Sequence, residues 1–532
     1  MLAKTFSAQV IGLRADIVEV EVDVAKGLHS FVIVGLPDKA VEEAKDRITA
    51  AIKNSGFKSP QKSNKKIIIS LAPADLKKEG PVFDLALALS YLRATGEIDF
   101  AEVEKKIFVG ELALDGSLRP IKGALMIAQK AKAGGFQEVY LPAANAREAS
   151  LVKGISVFPC HNLAQIAFHL SPESFDLEGG KVKLELGSPT SKLLAPQPET
   201  KIAWEETIYD LDFADVRGQQ TAKRGLEIAA AGGHNVAMFG PPGTGKTMLA
   251  KALVSILPPL DFEESLEATG IHSAAGTLNE ELVTRPPFRS PHHTSSYVSL
   301  VGGGTNPRPG EITLAHRGIL FLDEFPEFER RVIEALRQPL EERTITVSRA
   351  KATMNFPASF MLVAAMNPCP CGNRGLKTKE CICTLPTLAR YQRRISGPII
   401  DRIDLWLEVP QVEHEKLSQP SGGEESSNKV RARVLDARAR QKTRFASLNN
   451  GELRRVIKTN SEMTSKQLAQ FAPLTPTCTS LLNESAKRLD LSARAYHRVI
   501  KLARTIADLE GADNIAENHL LEALQYRPKN SF

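Results

Sequence analysis

The residues with the clearest capacity for chemistry are Gly240-Pro241-Pro242-Gly243-Thr244-Gly245-Lys246-Thr247. They follow G-x-x-x-x-G-K-[ST], sit between an apolar run and a helical pattern at Met248–Ile256, and so read as a P-loop. Glycines let consecutive backbone N–H groups approach a phosphate, and the helix N-terminus adds its positive end. Lys246 is expected to reach the β/γ-phosphates of ATP, and the Thr247 hydroxyl to bind Mg2+. Asp323-Glu324 closes the apolar run Gly318–Leu322, with Asp323 lying 77 residues after Lys246. Such an acidic pair suits Asp323 to Mg2+ and Glu324 to orienting or deprotonating water. Asn367 ends a third apolar run, Phe360–Met366, where an amide can stand beside the γ-phosphate and position that water.

These groups must be held at the ends of strands. Short β-capable runs fit Asn235–Phe239, Gly318–Leu322 and Ser359–Ala365. Thr344–Phe356 reads as a β-hairpin before the third of them, with Arg349 and Lys351 near its tip. Before residue 171, strands fit Ala8–Ile11, Ile17–Val22, Ser30–Val34, Lys66–Leu71, Ile107–Glu111 and Glu138–Leu141, with helical patterns at Lys39–Ser55, Val82–Thr95 and Gly123–Ala133. Ser171–Thr200 reads as a linker with one short strand at Val182–Leu186. After a polar loop at 415–428, helices fit Lys429–Phe445, Thr464–Phe471, Thr475–Arg488, Ala493–Glu510 and Glu517–Tyr526. The fold class is α/β multidomain: residues 1–170 α/β, a linker at 171–205, an α/β core at 206–414, and a helical region at 429–532.

The 532 residues, 42% apolar and 24% charged, exclude a wholly disordered chain. No uncharged apolar run reaches membrane-spanning length and no signal-peptide pattern opens the chain, so a cytoplasmic protein is expected. The net charge of +6 is uneven: residues 428–532 hold 19 Lys+Arg against 10 Asp+Glu, and the preceding 427 hold 49 against 52. A basic C-terminal module suits a polyanionic partner, though a solvated helical face carries such charge equally well. Of six cysteines, Cys369, Cys371, Cys381 and Cys383 cluster as two C-x-C pairs. Four thiolates there suit tetrahedral Zn2+, with free thiols, a disulfide or another metal as alternatives. The loop between them is basic, carrying Arg374, Lys377 and Lys379 against Glu380.

In this order the P-loop, the Asp-Glu pair and the strand-terminal Asn resemble the AAA+ ATPases. Phe288–Ser296, Gly302–Gly304, Pro309–Ile312 and Ser396–Asp404 resemble the magnesium chelatase-type group with a helix-2 insert. With Val34–Ala40 and Gly80–Ala86, nearly the whole chain resembles the YifB/ComM family. The resemblance implies a hexameric, ATP-driven motor on single-stranded and branched DNA, promoting branch migration in the recombination of incoming DNA during natural transformation. Recombination proteins are then expected partners. It also puts Arg402 at the position of an arginine finger acting on a neighbouring subunit, with Arg393 and Arg394 as rivals, and Arg494 at the sensor-2 position of a helical lid. The hairpin with Arg349 and Lys351 resembles one that helicases of this group project into the ring pore, and Phe288–Gly304, with Arg289, His292, His293 and Tyr297, is a second candidate for DNA contact. For His292 and His293, hydrogen bonding or DNA contact is preferred to metal.

Residues 1–170 resemble the Lon protease fold without its Ser–Lys dyad: Val82 follows Gly80-Pro81, and Ile127 aligns with the lysine. Neither side chain can attack a carbonyl or activate a nucleophile, so proteolysis is disfavoured. The alternative to a DNA motor is a magnesium chelatase-like or other AAA+ ATPase that remodels a protein partner.

Overall fold

The computed structural model describes residues 2–528 apart from 63, 176–192, 201–208, 279, 281, 305–306, 350–351, 375, 377–378, 413–423 and 450–456. The strand expected at Val182–Leu186, and Lys351 and Lys377, lie outside the described residues. The chain divides into two compact units. One comprises residues 1–203 with 269–282, the other residues 204–268 with 283–532. The segment 269–282, which the sequence reading assigns to a continuous core from 206 to 414, therefore groups with the N-terminal residues.

In the first unit, Leu2–Ile11 and Arg14–Lys26 form an antiparallel hairpin turning at Gly12, whose φ of 62° suits glycine. Lys65–Ala72 pairs antiparallel with the second strand, and Ser30–Val34 joins it in parallel as the edge. Alternation along Arg14–Lys26 turns Val18, Val20 and Val22 into the core. A smaller parallel sheet runs Lys106–Phe108, Glu138–Pro142, Ser156–Cys160. Ile127, on helix Ala124–Ala133, is fully buried, and Val82 packs against the same apolar cluster. Ser273 Oγ accepts a hydrogen bond from the Gly123 backbone N–H at 2.8 Å, which ties residues 269–282 to this unit.

The second unit is built on a five-stranded parallel sheet in the order Phe288–Arg289, Ile319–Leu322, Met361–Met366, Val236–Phe239, Leu405–Glu408. Its three central strands are covered on both sides, which is why they read as unbroken apolar runs with no alternation. The two outer strands escape the sequence reading: one has only two residues, and the other, Leu405–Glu408, ends in an exposed glutamate and leads into no nucleotide-binding motif. Helices Gln220–Gly232 and Lys246–Ile256 pack against the sheet, sharing its core with the C-terminal helices. Those helices span Ser427–Asn449, Ser465–Phe471, Pro476–Arg488, Ala493–Leu509 and Glu517–Gln525. Thr344–Arg349 and Ala352–Pro357 form the expected antiparallel hairpin, with Arg349 opposite Ala352.

Candidate functional site

Parallel strands end at one edge of their sheet, and loops leaving that edge can share a ligand. Phe239 leads there into the P-loop, Leu322 into Asp323, and Met366 into Asn367. Glycine is required at 240, where a Cβ would stand 2.1 Å from the Val409 carbonyl oxygen. Gly245, at φ 89°, turns the loop into helix Lys246–Ile256. Lys246 is only 7% exposed. Its Nζ donates to the carbonyls of Gly240 (2.7 Å) and Pro241 (2.8 Å) and lies 3.3 Å from Asn367 Oδ1. Burial pulls its pKa below the usual lysine value, against the opposing field of Asp323.

Thr247 Oγ1 donates to Asp323 Oδ2 at 2.9 Å, so the hydroxyl and carboxylate suited to one divalent cation stand together. Glu324 adopts a left-handed backbone (φ 52°), a conformation costing about 1–3 kcal/mol outside glycine and concentrated at functional sites. Its N–H donates to Asp323 Oδ1 (2.9 Å), and its Oε2 meets His293 Nδ1 at 3.0 Å. The structure thus brings Lys246, Thr247, Asp323, Glu324 and Asn367 to one edge. These groups fit ATP and Mg2+: backbone donors and an ammonium for phosphates, a hydroxyl–carboxylate pair for the cation, and a carboxylate for water.

Arg402 and Arg494 are brought together elsewhere. Arg402 precedes strand Leu405–Glu408, whose first residue pairs with the first residue of the P-loop strand. It therefore lies at the sheet edge opposite the phosphate loop. Its Nη2 is 2.5 Å from Glu341 Oε1, and Arg494 Nη2 is 3.2 Å from the same oxygen. Burial opposes ionisation of Glu341, yet Arg402 and Arg494 hold its carboxyl below the usual range. Arg394 is placed differently: it pairs with Glu327 and the Pro326 carbonyl, just beyond the acidic pair of its own chain. Arg393 is exposed after helix Leu385–Gln392.

The four cysteines converge, their sulfurs all within 4.8 Å of one another. Measured separations are 3.3 Å (Cys369–Cys371), 3.6 Å (Cys371–Cys381) and 3.7 Å (Cys381–Cys369). Tetrahedral bonds of about 2.3 Å place ligand sulfurs about 3.8 Å apart, so the cluster fits a four-thiolate metal site. The guanidinium fork of Arg289, expected to meet DNA, is closed on Glu311 by bonds of 2.6 and 2.8 Å. His292 bonds Thr294 Oγ1 at 2.8 Å, and its ring centroid lies 4.2 Å from that of His293.

Three contributors escape sequence reasoning. His293 was expected only as a hydrogen-bonding or DNA-contact residue, and its bond to Glu324 joins positions 31 residues apart. Glu341, beside Glu342 at the end of a short helix, belongs to no motif read in the sequence. Tyr391, whose hydroxyl donates to the Asn367 carbonyl at 3.1 Å, lies in no motif or element read from the sequence.

A P-loop ATPase of the AAA+ class is what this sheet order and this edge define, and comparison with known proteins narrows it. Family profiles described as "Magnesium chelatase, subunit ChlI", "Subunit ChlI of Mg-chelatase" and "Magnesium chelatase, subunit ChlI C-terminal" match residues 212–417, 20–145 and 424–527. Competence protein ComM of Haemophilus influenzae is 42% identical over 532 residues, covering 99% of this chain and 97% of the relative. The YifB protein of Escherichia coli K12 is 42% identical over 519 residues, covering 97% and 95%. A segment of the DNA replication licensing factor mcm-6 of Caenorhabditis briggsae is 25% identical over 236 residues, 41% of this chain and 25% of that protein. The chain belongs to the YifB/ComM family of magnesium chelatase-like AAA+ proteins. Among the described residues no helix is long and apolar enough to cross a membrane.

Proposed function

We propose that this protein is a hexameric, ring-forming, ATP-driven DNA motor that promotes branch migration in the recombination of incoming DNA. The observation that supports a ring is the position of Arg402 and Arg494 at the sheet edge opposite their own P-loop, which suits them to a neighbour's nucleotide rather than their own. Mg2+ would supply neutralisation of phosphate charge at this site. Thr247 and Asp323 would hold it, Lys246 would turn from its loop carbonyls to the phosphates, and Asn367, beside Lys246, would position the attacking water. Glu324 would take the proton of the attacking water, and the partner's arginine pair would offset developing negative charge.

A DNA track is supported by the positive surplus of residues 428–532, by the hairpin of strands Thr344–Arg349 and Ala352–Pro357, and by likeness to a replication licensing factor. Arg349 and Lys351 are the proposed phosphate contacts. Natural transformation is the setting suggested by the name of the competence relative. The first unit is proposed as a Lon-like scaffold without proteolysis, since Val82 and Ile127 occupy an apolar cluster. The C-terminal helices are proposed as the lid. The four cysteines are proposed to hold Zn2+. A cytoplasmic location and recombination proteins as partners belong to the same reading.

The test is ATP hydrolysis measured alongside strand exchange on a labelled four-way DNA junction, with wild type and Glu324→Gln. DNA-stimulated hydrolysis with junction processing by wild type alone is the expected result. Hydrolysis indifferent to DNA with an untouched junction would favour a protein-remodelling ATPase.

A further inference from the structure

We infer that the four-cysteine cluster is a clamp on the ATP site, fixing Asn367 and the P-loop through the metal it binds. The inference rests on the zinc reading and on the ATPase reading above. The loop in question leaves the sheet at Asn367, the residue whose Oδ1 faces Lys246 Nζ. Two residues on, Cys369 is fully buried. At Gly372 the chain lies against the phosphate loop itself: φ is 77°, and a Cβ there would stand 2.8 Å from Cδ and 3.1 Å from Cγ of Pro242. After Cys381 and Cys383 the chain enters helix Leu385–Gln392, capped by Thr384. That helix brings Tyr391 back to donate its hydroxyl to the Asn367 carbonyl at 3.1 Å. The loop thus starts and finishes on Asn367, rests on Pro242 between, and is cross-tied by the sulfurs.

Ile382 and Leu385, which would have to build a core for such a loop, are 84% and 81% exposed. A segment without its own core keeps one conformation through a covalent or metal cross-link. Four thiolates on one ion close the loop and remove the freedom that would let Gly372 leave Pro242 or Asn367 leave Lys246. The cysteines, Gly372 and Tyr391 are positioning residues, each acting through Asn367 or Pro242.

The experiment uses the full chain, with metal content, binding of a fluorescent ATP analogue and steady-state hydrolysis measured in excess Mg2+. Cys381→Ser is expected to lose zinc and about ten-fold in kcat/KM. Cys383→His, which keeps a zinc ligand, is expected to retain both. Gly372→Ala keeps all four thiols, so it is expected to bind zinc normally yet lose at least about five-fold in analogue affinity, because the new methyl presses on a rigid proline ring. Tyr391→Phe is expected to lower kcat with analogue affinity within two-fold of wild type. Should Cys381→Ser fail to fold, Gly372→Ala and Tyr391→Phe decide the matter, since neither removes a ligand. Normal turnover and analogue affinity in both of those variants would overturn the clamp while leaving the zinc assignment standing. Wild-type protein that purifies without stoichiometric metal would overturn the clamp and the zinc assignment together. Wild type that carries zinc but hydrolyses no ATP would instead overturn the ATPase reading, and with it the clamp.

Discussion

Lys246→Ala tests the phosphate site most directly, and its two consequences can be worked separately. On the folded protein, truncation removes the donor to Gly240 O at 2.7 Å and Pro241 O at 2.8 Å. Each such bond contributes about 1 kcal/mol net, and water can enter the opened site to restore part of it. The variant is therefore expected to melt only a few degrees below wild type. On catalysis the loss is larger. An ammonium bonded to two phosphate oxygens supplies about 1.5–3 kcal/mol per charge-assisted bond, or about 3–6 kcal/mol in all. That corresponds to roughly 10²–10⁴-fold in kcat/KM. Lys246→Arg is expected to fare no better, because a planar five-donor fork does not fit a niche in which the native side chain is 7% exposed. The assay is phosphate release against ATP concentration, with melting measured on the same samples. A Lys246→Ala protein with unchanged melting and kcat/KM within about five-fold of wild type would refute the assignment of Lys246 to the phosphates.

Glu324→Gln keeps the side chain's shape but removes its basicity. It is expected to bind ATP with near-normal affinity and to lose about 10²–10⁴-fold in kcat, read by single-turnover hydrolysis; a loss under ten-fold would assign the base elsewhere. Arg402→Ala and Lys246→Ala are each expected to be inactive alone. Mixed, they are expected to recover hydrolysis, because a Lys246→Ala subunit still offers its arginines to a neighbour's intact P-loop; no recovery in mixed oligomers would exclude action between subunits. Arg289→Ala is expected to lower the melting temperature by opening the Glu311 pair, leaving the salt dependence of DNA affinity unchanged. A salt slope reduced by about one would make Arg289 a phosphate contact instead.

What could be read in advance follows the range of the interaction. The P-loop is legible because phosphate recognition uses consecutive backbone N–H groups, a strand before them and a helix after them, all within about twenty residues. The runs ending at Asp323 and Asn367 are legible as strands because burial on both faces makes them apolar throughout. The C-terminal helices Pro476–Arg488 and Ala493–Leu509 are legible from their helical pattern, and the structure adds Thr475 and Ser492 as their N-caps. The two outer strands are not: Phe288–Arg289 has only two residues, and Leu405–Glu408 ends in an exposed glutamate and leads into no nucleotide-binding motif.

Sequence alone determined the chemical inventory: a phosphate loop, an acidic pair, a strand-terminal amide, four clustered thiols and a basic C-terminal region, each carried by neighbours in the chain. Tertiary structure decided which of these meet. The strand order brought Asp323 onto Thr247, 76 residues away, and Asn367 onto Lys246, 121 away. The fold sent Arg402 and Arg494 to the opposite edge on a shared Glu341, closed Arg289 on Glu311, set His293 against Glu324, and gathered 269–282 into the first unit. The physical reason is that propensity, periodicity and capping act over a few residues. Long-range pairings are instead fixed by how buried faces pack, and many different loop lengths can satisfy that packing.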